Sequence, residues 1–283
     1  MIIIADSGST KTTWCIIRTD RRKPEICRTS GINPFLQTSG EIYDTIKNEF
    51  SLIKGPFDKV YFYGAGCANP EKNQKVINPI NEIFTVSKVF VDSDLMAAAR
   101  SLCGDNPGIA AILGTGSNSC YYDGEKISRH ISPLGYILGD EGSGAVLGRK
   151  LLSDVLKNQL PENIRQLFYK KYKLQPAEIL DQVYRKPFPN RFMAQFTHFI
   201  AENIKHPSIY KLVKGSFLEF FNRNIKQFPE AARLPVNFTG SIGWYFRSIL
   251  NDAAEDAGFK TGIITESPIH GLVEYHTKKM YKS

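Results

Sequence analysis

Two stretches of the chain repeat one pattern, and this repeat constrains the fold more than any other feature. Residues 2–10 are IIIADSGST and residues 110–118 are AAILGTGSN, so each has apolar strand-forming residues followed by a Gly/Ser/Thr loop. The two stretches begin about 108 residues apart, which is close to one domain length. In a chain of 283 residues, the repeat predicts two related units.

The segments around these loops predict an α/β architecture, because apolar strand-like runs alternate with helical ones. We expect a first domain over residues 1–107, which a C-terminal helix at 268–283 joins, and a second over 108–267 with a helical insertion. The expected strands after the opening hairpin are 26–29, 59–63, 88–91, 109–113, 120–122, 126–130, 236–239 and 262–265. The expected helices include 40–52, 69–83, 242–257 and 269–281, together with a helical region over 142–227.

The first loop has the chemistry of an anion-binding turn. Asp6 ends the strand, Gly8 permits a tight turn, and residues 9–12 add hydroxyls and an ammonium group. The next segment, Thr12–Arg18, is rich in β-branched residues and therefore predicts a second strand. A Walker loop or a dinucleotide-binding fold needs a helix there. An ordinary polar hairpin is the alternative interpretation.

The second loop, residues 114–119 (GTGSNS), offers the same groups as the first. Two such loops facing each other would hold a polyphosphate from both sides.

Asp94 follows an apolar strand-like run and precedes the small residues of a predicted helix. Ligand sites of α/β folds lie at the carboxyl ends of their strands, so this carboxylate is a candidate general base. The alternative is an N-cap of the helix, and Asp92 competes for either role.

Residues 135–144, GYILGDEGSG, combine four glycines with the adjacent carboxylates Asp140 and Glu141. Paired carboxylates accept hydrogen bonds from vicinal sugar hydroxyls. The alternative is an acidic helix start that complements the helix dipole.

Composition narrows the function classes. The net charge of +8 comes from dispersed basic residues, with local clusters at 21–23 and 278–282, so we expect no nucleic-acid partner. No apolar run reaches the roughly 18 residues of a membrane span, and we expect no signal peptide. The five cysteines are scattered without a C-x-x-C pair, which predicts reduced thiols and a cytoplasmic protein. The five histidines form no metal-ligand pair.

The motifs DSGSTKT, SD before a helix, GTGSNS and LGDEGSG, in this order, resemble the sugar kinase/heat-shock protein/actin superfamily. More closely, the chain is similar to N-acetylglucosamine kinases and the BadF/BadG/BcrA/BcrD ATPase family, over essentially its whole length. This resemblance implies two ribonuclease-H-like (actin-like ATPase) domains with ATP in an interdomain cleft.

The resemblance also implies roles for particular residues. Asp94 corresponds to the catalytic base, and Asp6 would act on Mg²⁺ through water. Phosphate or ATP contacts are implied at the two loops and at an adenosine motif: Asp6, Gly8, Ser9, Thr10, Lys11, Thr12, Gly114, Thr115, Gly116, Ser117, Gly240 and Ser241. Sugar contacts are implied at Asn33, Phe35, Asp94, Asn118, Gly135 and Asp140.

Two departures qualify the resemblance. Phe35 stands where animal relatives have tryptophan, which leaves the sugar preference open. The chain has no cysteine pair for an iron–sulfur cluster, which argues against the reductase-activating ATPases.

The expected activity is ATP-dependent phosphorylation of N-acetylglucosamine at its 6-hydroxyl. Glucosamine or N-acetylmannosamine as the substrate, and an ATP-driven switch or sugar sensor of the same fold, stay open as alternatives, as does a homodimer.

Overall fold

The computed structural model describes residues 1–8, 10–18, 20, 23–67 and 69–280. Contacts between residues divide the chain into two units. The first comprises 1–106, 124–126 and 267–283, and the second comprises 107–123 and 127–266. The domain boundaries predicted at 107/108 and 267/268 stay predictions.

Strands and helices follow in the order that the sequence predicts. The strands are β1 (Ile2–Ser7), β2 (Lys11–Ile17), β3 (Glu25–Ser30), β4 (Phe57–Gly64), β5 (Val86–Ser93), β6 (Gly108–Leu113), β7 (Ser117–Tyr122), β8 (Ile127–Ile131), β9 (Val236–Thr239) and β10 (Thr261–Thr265). The α-helices are α1 (Ser39–Glu49), α2 (Pro70–Ile83), α3 (Asp94–Cys103), α4 (Gly135–Leu138), α5 (Gly144–Leu156), α6 (Glu162–Tyr172), α7 (Pro176–Tyr184), α8 (Pro189–Ala194), α9 (Thr197–Glu202), α10 (Pro207–Arg223), α11 (Ser241–Tyr245), α12 (Arg247–Asp256) and α13 (Ile269–Met280). Short 3₁₀ helices cover Ile225–Gln227 and Pro229–Ala232.

The described residues of the first unit form one five-stranded sheet with the order β3-β2-β1-β4-β5. The hairpin strands β1, β2 and β3 pair antiparallel, whereas β1, β4 and β5 run parallel. Side chains of β1 alternate between two cores, with Ile3 packed toward α1 and α2 and Ile4 packed toward α13. Both faces of the central strand are therefore buried, as its apolar sequence predicts.

The described part of the second unit repeats this arrangement with the sheet order β8-β7-β6-β9-β10. Here β6 takes the place of β1, pairing antiparallel with β7 and parallel with β9. The predicted helical insertion lies between β8 and β9 and packs its apolar faces, including those of α5 and α10, into one core. Two sheets with the same strand order confirm the predicted fold of two ribonuclease-H-like units.

Two local predictions were wrong. The helix expected over 242–257 is two helices, α11 and α12, because the backbone leaves the helical region at Phe246 while its ring is buried. The loop expected over 114–119 ends earlier, because residues 117–119 already pair with β6 as the start of β7. No helix in the described ranges combines the length and apolarity needed to cross a membrane.

Candidate active site

Asp6 and Asp94 lie at one edge of the first unit's sheet. Asp6 is the penultimate residue of β1, and Asp94 directly follows the parallel strand β5 as the first residue of α3. Ligand sites in α/β folds form at this carboxyl edge.

The charge of Asp94 also acts on Asp6. Burial first, and then the charge of Asp94, raise the pKa of Asp6 to about 7 against the opposing effect of Lys11. Burial raises the pKa of Asp94 to about 6, against the backbone N–H groups of residues 94 and 95, which lower it. Two half-buried acids with raised pKa values make a site that favours a cation or a proton.

The surroundings of Asp92 distinguish it from Asp94. Ser93 is the N-cap of α3 and accepts a hydrogen bond from the Met96 N–H at 3.1 Å, so Asp94 does not have that role. Asp92 accepts a hydrogen bond from the Ser93 N–H at 2.8 Å and lies 3.8 Å from the Arg100 guanidinium. Asp92 is thus held by a cation on α3, which favours Asp94 as the residue that exchanges a proton.

The first loop is a tight hairpin turn in which the Gly8 N–H donates to the Lys11 carbonyl at 3.0 Å. Thr10 and Lys11 are exposed, whereas Ser9 lies outside the described residues. Thr12 is fully buried, with its hydroxyl oxygen 2.7 Å from Ser7 Oγ and donating to the Ser30 carbonyl at 3.1 Å. The Thr12 hydroxyl therefore connects neighbouring strands through these two contacts.

Ser7, which the sequence analysis did not single out, anchors the turn that carries Asn33. Its buried hydroxyl accepts a hydrogen bond from the Ile32 N–H at 3.0 Å and donates to the Ile32 carbonyl at 2.9 Å. Asn33 follows, and its Oδ1 accepts a hydrogen bond from the Phe35 N–H at 2.9 Å. The ring of Phe35 is 71% exposed, so it is available as a contact surface.

The loop after β4 brings this turn close to the two aspartates of the β5–α3 junction. A Cβ on Gly66 would lie 2.1 Å from Asn33 Oδ1, so the backbone of residue 66 contacts the side chain of Asn33. Next to it, Cys67 is buried, and its pKa rises to about 12 through burial and then through the charges of Asp94 and Asp92. Asn33 and Asp94 therefore border the same loop.

In the second unit, the second loop is fixed to the start of α5. Carbonyl oxygens of Gly114 and Thr115 accept hydrogen bonds from the N–H groups of Gly144 at 2.8 Å and Ala145 at 3.0 Å. The loop itself closes through the Gly114 N–H, which donates to the Gly116 carbonyl at 2.9 Å. The turn is held by backbone contacts on both sides, so its shape is preorganised.

Asp140 and Glu141 have different surroundings and do not form one paired site. Asp140 accepts a hydrogen bond from the Ser117 N–H at 3.1 Å, while burial, followed by the charge of Glu141, raises its pKa to about 6. Glu141 forms an ion pair with Arg223 at 2.8 Å and accepts a hydrogen bond from Asn224. Neither acid starts α5, whose N-cap is Ser143.

Asn118 has a fixed amide oxygen. Its Oδ1 accepts a hydrogen bond from the Ser119 N–H at 3.0 Å and lies 2.8 Å from His130 Nε2 on the neighbouring strand β8. With the oxygen engaged twice, the amide nitrogen is the group left to donate to a ligand. The sequence analysis did not find His130, although the Asp123-Gly124 hairpin places β8 beside β7.

Gly240 brings the predicted adenosine motif to the second loop. Its φ is +117°, and a Cβ would lie 2.4 Å from the Leu113 carbonyl and 3.2 Å from the Gly114 nitrogen. Ser241 follows as an exposed residue at the start of α11. Gly135 begins α4 with open space where a Cβ would lie, and no close contact joins it to the loop.

Comparisons with solved structures agree with this fold. A structure from Porphyromonas gingivalis, named as a candidate N-acetylglucosamine kinase, is 44% identical, with 99% of this chain and 100% of that one aligned and a TM-score of 0.95. A candidate N-acetylglucosamine kinase from Chromobacterium violaceum is 16% identical, with 97% and 98% aligned and a TM-score of 0.76. A ROK family glucokinase from Streptomyces griseus, in complex with glucose and AMPPNP, is 14% identical, with 97% of each chain aligned and a TM-score of 0.61.

The last two structures share the fold alone. No family model matches the sequence, and neither does any curated protein.

The two repeated sheets, with polar loops at matching positions, define an actin-like ATPase fold. On the identity and full coverage of the Porphyromonas structure, the chain belongs to the N-acetylglucosamine kinase family, a family of sugar phosphotransferases.

Proposed function

We propose that the chain transfers the γ-phosphoryl group of ATP to the 6-hydroxyl of N-acetylglucosamine. The observation that carries this proposal is that Asp6 and Asp94 lie together at the carboxyl edge of the first sheet, where burial raises the pKa of both carboxyl groups. The 44% identity to a candidate kinase for this sugar supports the choice of substrate.

Asp94 takes the proton from the sugar hydroxyl as its oxygen attacks the γ-phosphorus. The bond between this phosphorus and the β–γ bridging oxygen breaks, and ADP leaves. A base with a pKa of about 6 is ionised at neutral pH and still basic enough to accept a proton. Backbone N–H groups of the two loops and the Lys11 ammonium stabilise the charge of the transferring group.

The site at Asp6 suits Mg²⁺ if the phosphates of ATP supply most of the remaining ligands. No group of three or more His, Cys, Asp or Glu side chains within the described ranges is arranged to hold a metal ion alone. Mg²⁺ usually keeps several waters and takes one or two carboxylates with substrate phosphates. When bound, it would offset phosphate charge, and Asp6 would hold it through water.

The proposed sugar contacts lie in both units. In the first unit, Asn33 and the exposed ring of Phe35 border the loop beside Asp94. In the second, the Asn118 amide offers a donor and Asp140 an acceptor. Phosphate contacts are proposed for Gly8, Thr10, Lys11 and the second loop, but not for the buried Thr12.

A sugar panel in a coupled ADP-release assay with ATP and Mg²⁺ tests this function. We expect N-acetylglucosamine to give the highest kcat/KM, ahead of glucosamine, N-acetylmannosamine and glucose. The matched control is 6-deoxy-N-acetylglucosamine, which lacks the acceptor and should release no ADP above background. ADP release that is the same with every sugar and with none would contradict the kinase proposal and favour an ATP-driven switch.

The pH profile should report the ionisation of Asp94 and Asp6. Because both carboxyl groups act in the ionised form, kcat/KM should fall as the pH drops from about 7 through about 6, with at least a tenfold loss for each further pH unit. Initial rates between pH 5 and 8, with the coupling enzymes in excess, measure this limb. A rate that stays constant down to pH 5 would contradict the assignment of Asp94 as the base.

A cytoplasmic location, a homodimer and the lack of a nucleic-acid partner stay predictions.

A further inference from the structure

A cavity of about 280 Å³ lies in the first unit, and neither Asp6 nor the first loop is part of its lining. It is lined by residues of β4, β5, α3 and α13. A second cavity of about 210 Å³ adjoins it and shares part of its lining. The lining of the first cavity includes Tyr61, Phe90, Arg100, Tyr275, His276 and Lys279.

One wall of the cavity is a row of flat rings. The rings of Tyr61 and Phe90 stack with centroids 5.1 Å apart at 11°, and the His276 ring lies 3.9 Å from that of Tyr61. Phe90 is 37% exposed, on the edge strand of the sheet. Such a surface binds the flat or apolar face of a small molecule.

Two cationic side chains, Arg100 and Lys279, also line the cavity. Arg100 donates one hydrogen bond at 2.8 Å, to the Tyr63 hydroxyl, and its Nε is buried without a partner among the described residues. Lys279 extends from α13 and hydrogen-bonds to Tyr275 while pairing with Asp105 at 3.3 Å. A guanidinium has five N–H donors, so beyond the bond to Tyr63 and the buried Nε the terminal nitrogens of Arg100 still have donors for another acceptor.

The charges around the cavity favour an anion. Asp92, 3.8 Å from Arg100, is the carboxylate in the lining, and Asp105, the ion-pair partner of Lys279, lies outside the lining. Burial first, and then the charges of Arg100, Lys279 and Lys59, lower the pKa of His276 to about 3. The imidazole is therefore neutral at physiological pH, and the potential at its position is positive.

We propose that this cavity binds a small phosphate monoester whose organic group has a flat or apolar face. A phosphate monoester carries close to two negative charges and three acceptor oxygens, which suits a guanidinium and an ammonium together. The organic group would pack on Phe90 and Tyr61. Because ligand pockets usually span about 300–1,000 Å³, the ligand must be small. A sugar phosphate and a nucleoside monophosphate share this chemistry.

Isothermal titration calorimetry of the full chain tests the proposal with three probes: N-acetylglucosamine 6-phosphate, AMP and inorganic phosphate. We expect at least one of the two esters to bind more tightly than inorganic phosphate. The ester that binds more tightly shows whether the ligand is a sugar phosphate or a nucleoside monophosphate. If neither binds, or if inorganic phosphate binds as tightly, the proposal is wrong.

Two variants test whether the ester binds in the cavity. Arg100 is left unchanged because it also bonds to Tyr63, and the substitutions are made at the more exposed residues as Lys279→Gln and Phe90→Leu. Each substitution should raise the Kd of the ester at least tenfold. The matched control is Lys47→Gln on α1, where Lys47 lies over the ring of Tyr43 at 5.3 Å, much as Lys279 lies over Tyr275 at 4.3 Å. This control should keep full affinity.

A further variant, Asp94→Asn, separates the cavity from the proposed kinase site. It should leave ester binding at the cavity unchanged, because Asp94 is not part of the cavity lining. Binding that is lost in Asp94→Asn but kept in both cavity variants would belong to the kinase site and overturn the proposal. Because this assay measures no phosphoryl transfer, its failure leaves the proposed kinase function untouched.

Discussion

Replacing Asp94 with asparagine should lower kcat for sugar phosphorylation by about 10²–10⁴, the usual contribution of a general base. Asparagine has nearly the same shape but cannot accept the proton of the sugar hydroxyl. ADP release at saturating sugar and ATP measures the loss. KM should change much less, because the amide oxygen can still accept a hydrogen bond from the substrate.

Asp92→Asn is the matched control for this prediction. Asp92 lies two residues away and is held by Arg100 and the Ser93 N–H, so its replacement should cost far less in kcat. Equal losses in the two variants would show that the region is sensitive to any change. A larger loss in Asp92→Asn would assign the base to Asp92.

The same Asp94 variant should be more stable than the wild type above pH 6. Because burial raises the folded-state pKa from 3.8 to about 6, the folded protein binds more protons than the unfolded chain between these pH values. The wild type therefore loses stability as the pH rises through this window, by about 1–3 kcal/mol. In urea unfolding at pH 8, the free energy of unfolding of Asp94→Asn should exceed that of the wild type by this amount. The difference should shrink toward pH 4.

Opposite effects on rate and stability would distinguish a catalytic role from a structural one. A carboxylate that only held the fold would destabilise the protein when replaced. A charge kept in an unfavourable place is instead typical of residues retained for chemistry.

The fold was predictable because its signals are local. The repeated strand-and-loop pattern at residues 2–10 and 110–118 places a central strand in each unit, and the two sheets have the same strand order. Apolar runs with polar breaks fix the strands, and Ser93 and Ser143 cap the helices that follow the site segments. Asp6 and Asp94 were expected at strand ends, and they lie there.

The partners of the site residues were not predictable, because they come from distant parts of the chain. The ion pair of Glu141 with Arg223 joins residues that no sequence pattern links, so the two adjacent acids were interpreted as a pair. Thr12 lies in a polar loop motif, yet strand pairing turns its hydroxyl inward to Ser7 and Ser30. Such contacts depend on three-dimensional packing that propensities do not encode.

Gly66, which lies near the proposed sugar contacts, is a position where the structure requires glycine. Its φ is +82°, a left-handed conformation that costs a residue with a Cβ about 1–2 kcal/mol. In addition, the new Cβ would lie 2.1 Å from Asn33 Oδ1, so either the loop or Asn33 must move. Gly66→Ala should therefore destabilise the protein and also displace a side chain that we propose contacts the sugar.

Gly258→Ala separates these two effects, because Gly258 has a φ of +80° and open space where a Cβ would lie. In this control the free energy of unfolding should fall only by the conformational cost, about 1–2 kcal/mol, and kcat and KM should be unchanged. Gly66→Ala should lower the free energy of unfolding, measured in urea, by more than this. It should also raise KM for the sugar at least tenfold, with a smaller change in KM for ATP. Equal stability losses and unchanged KM values in both variants would show that Asn33 relaxes without consequence, and Asn33 would then not be a sugar contact.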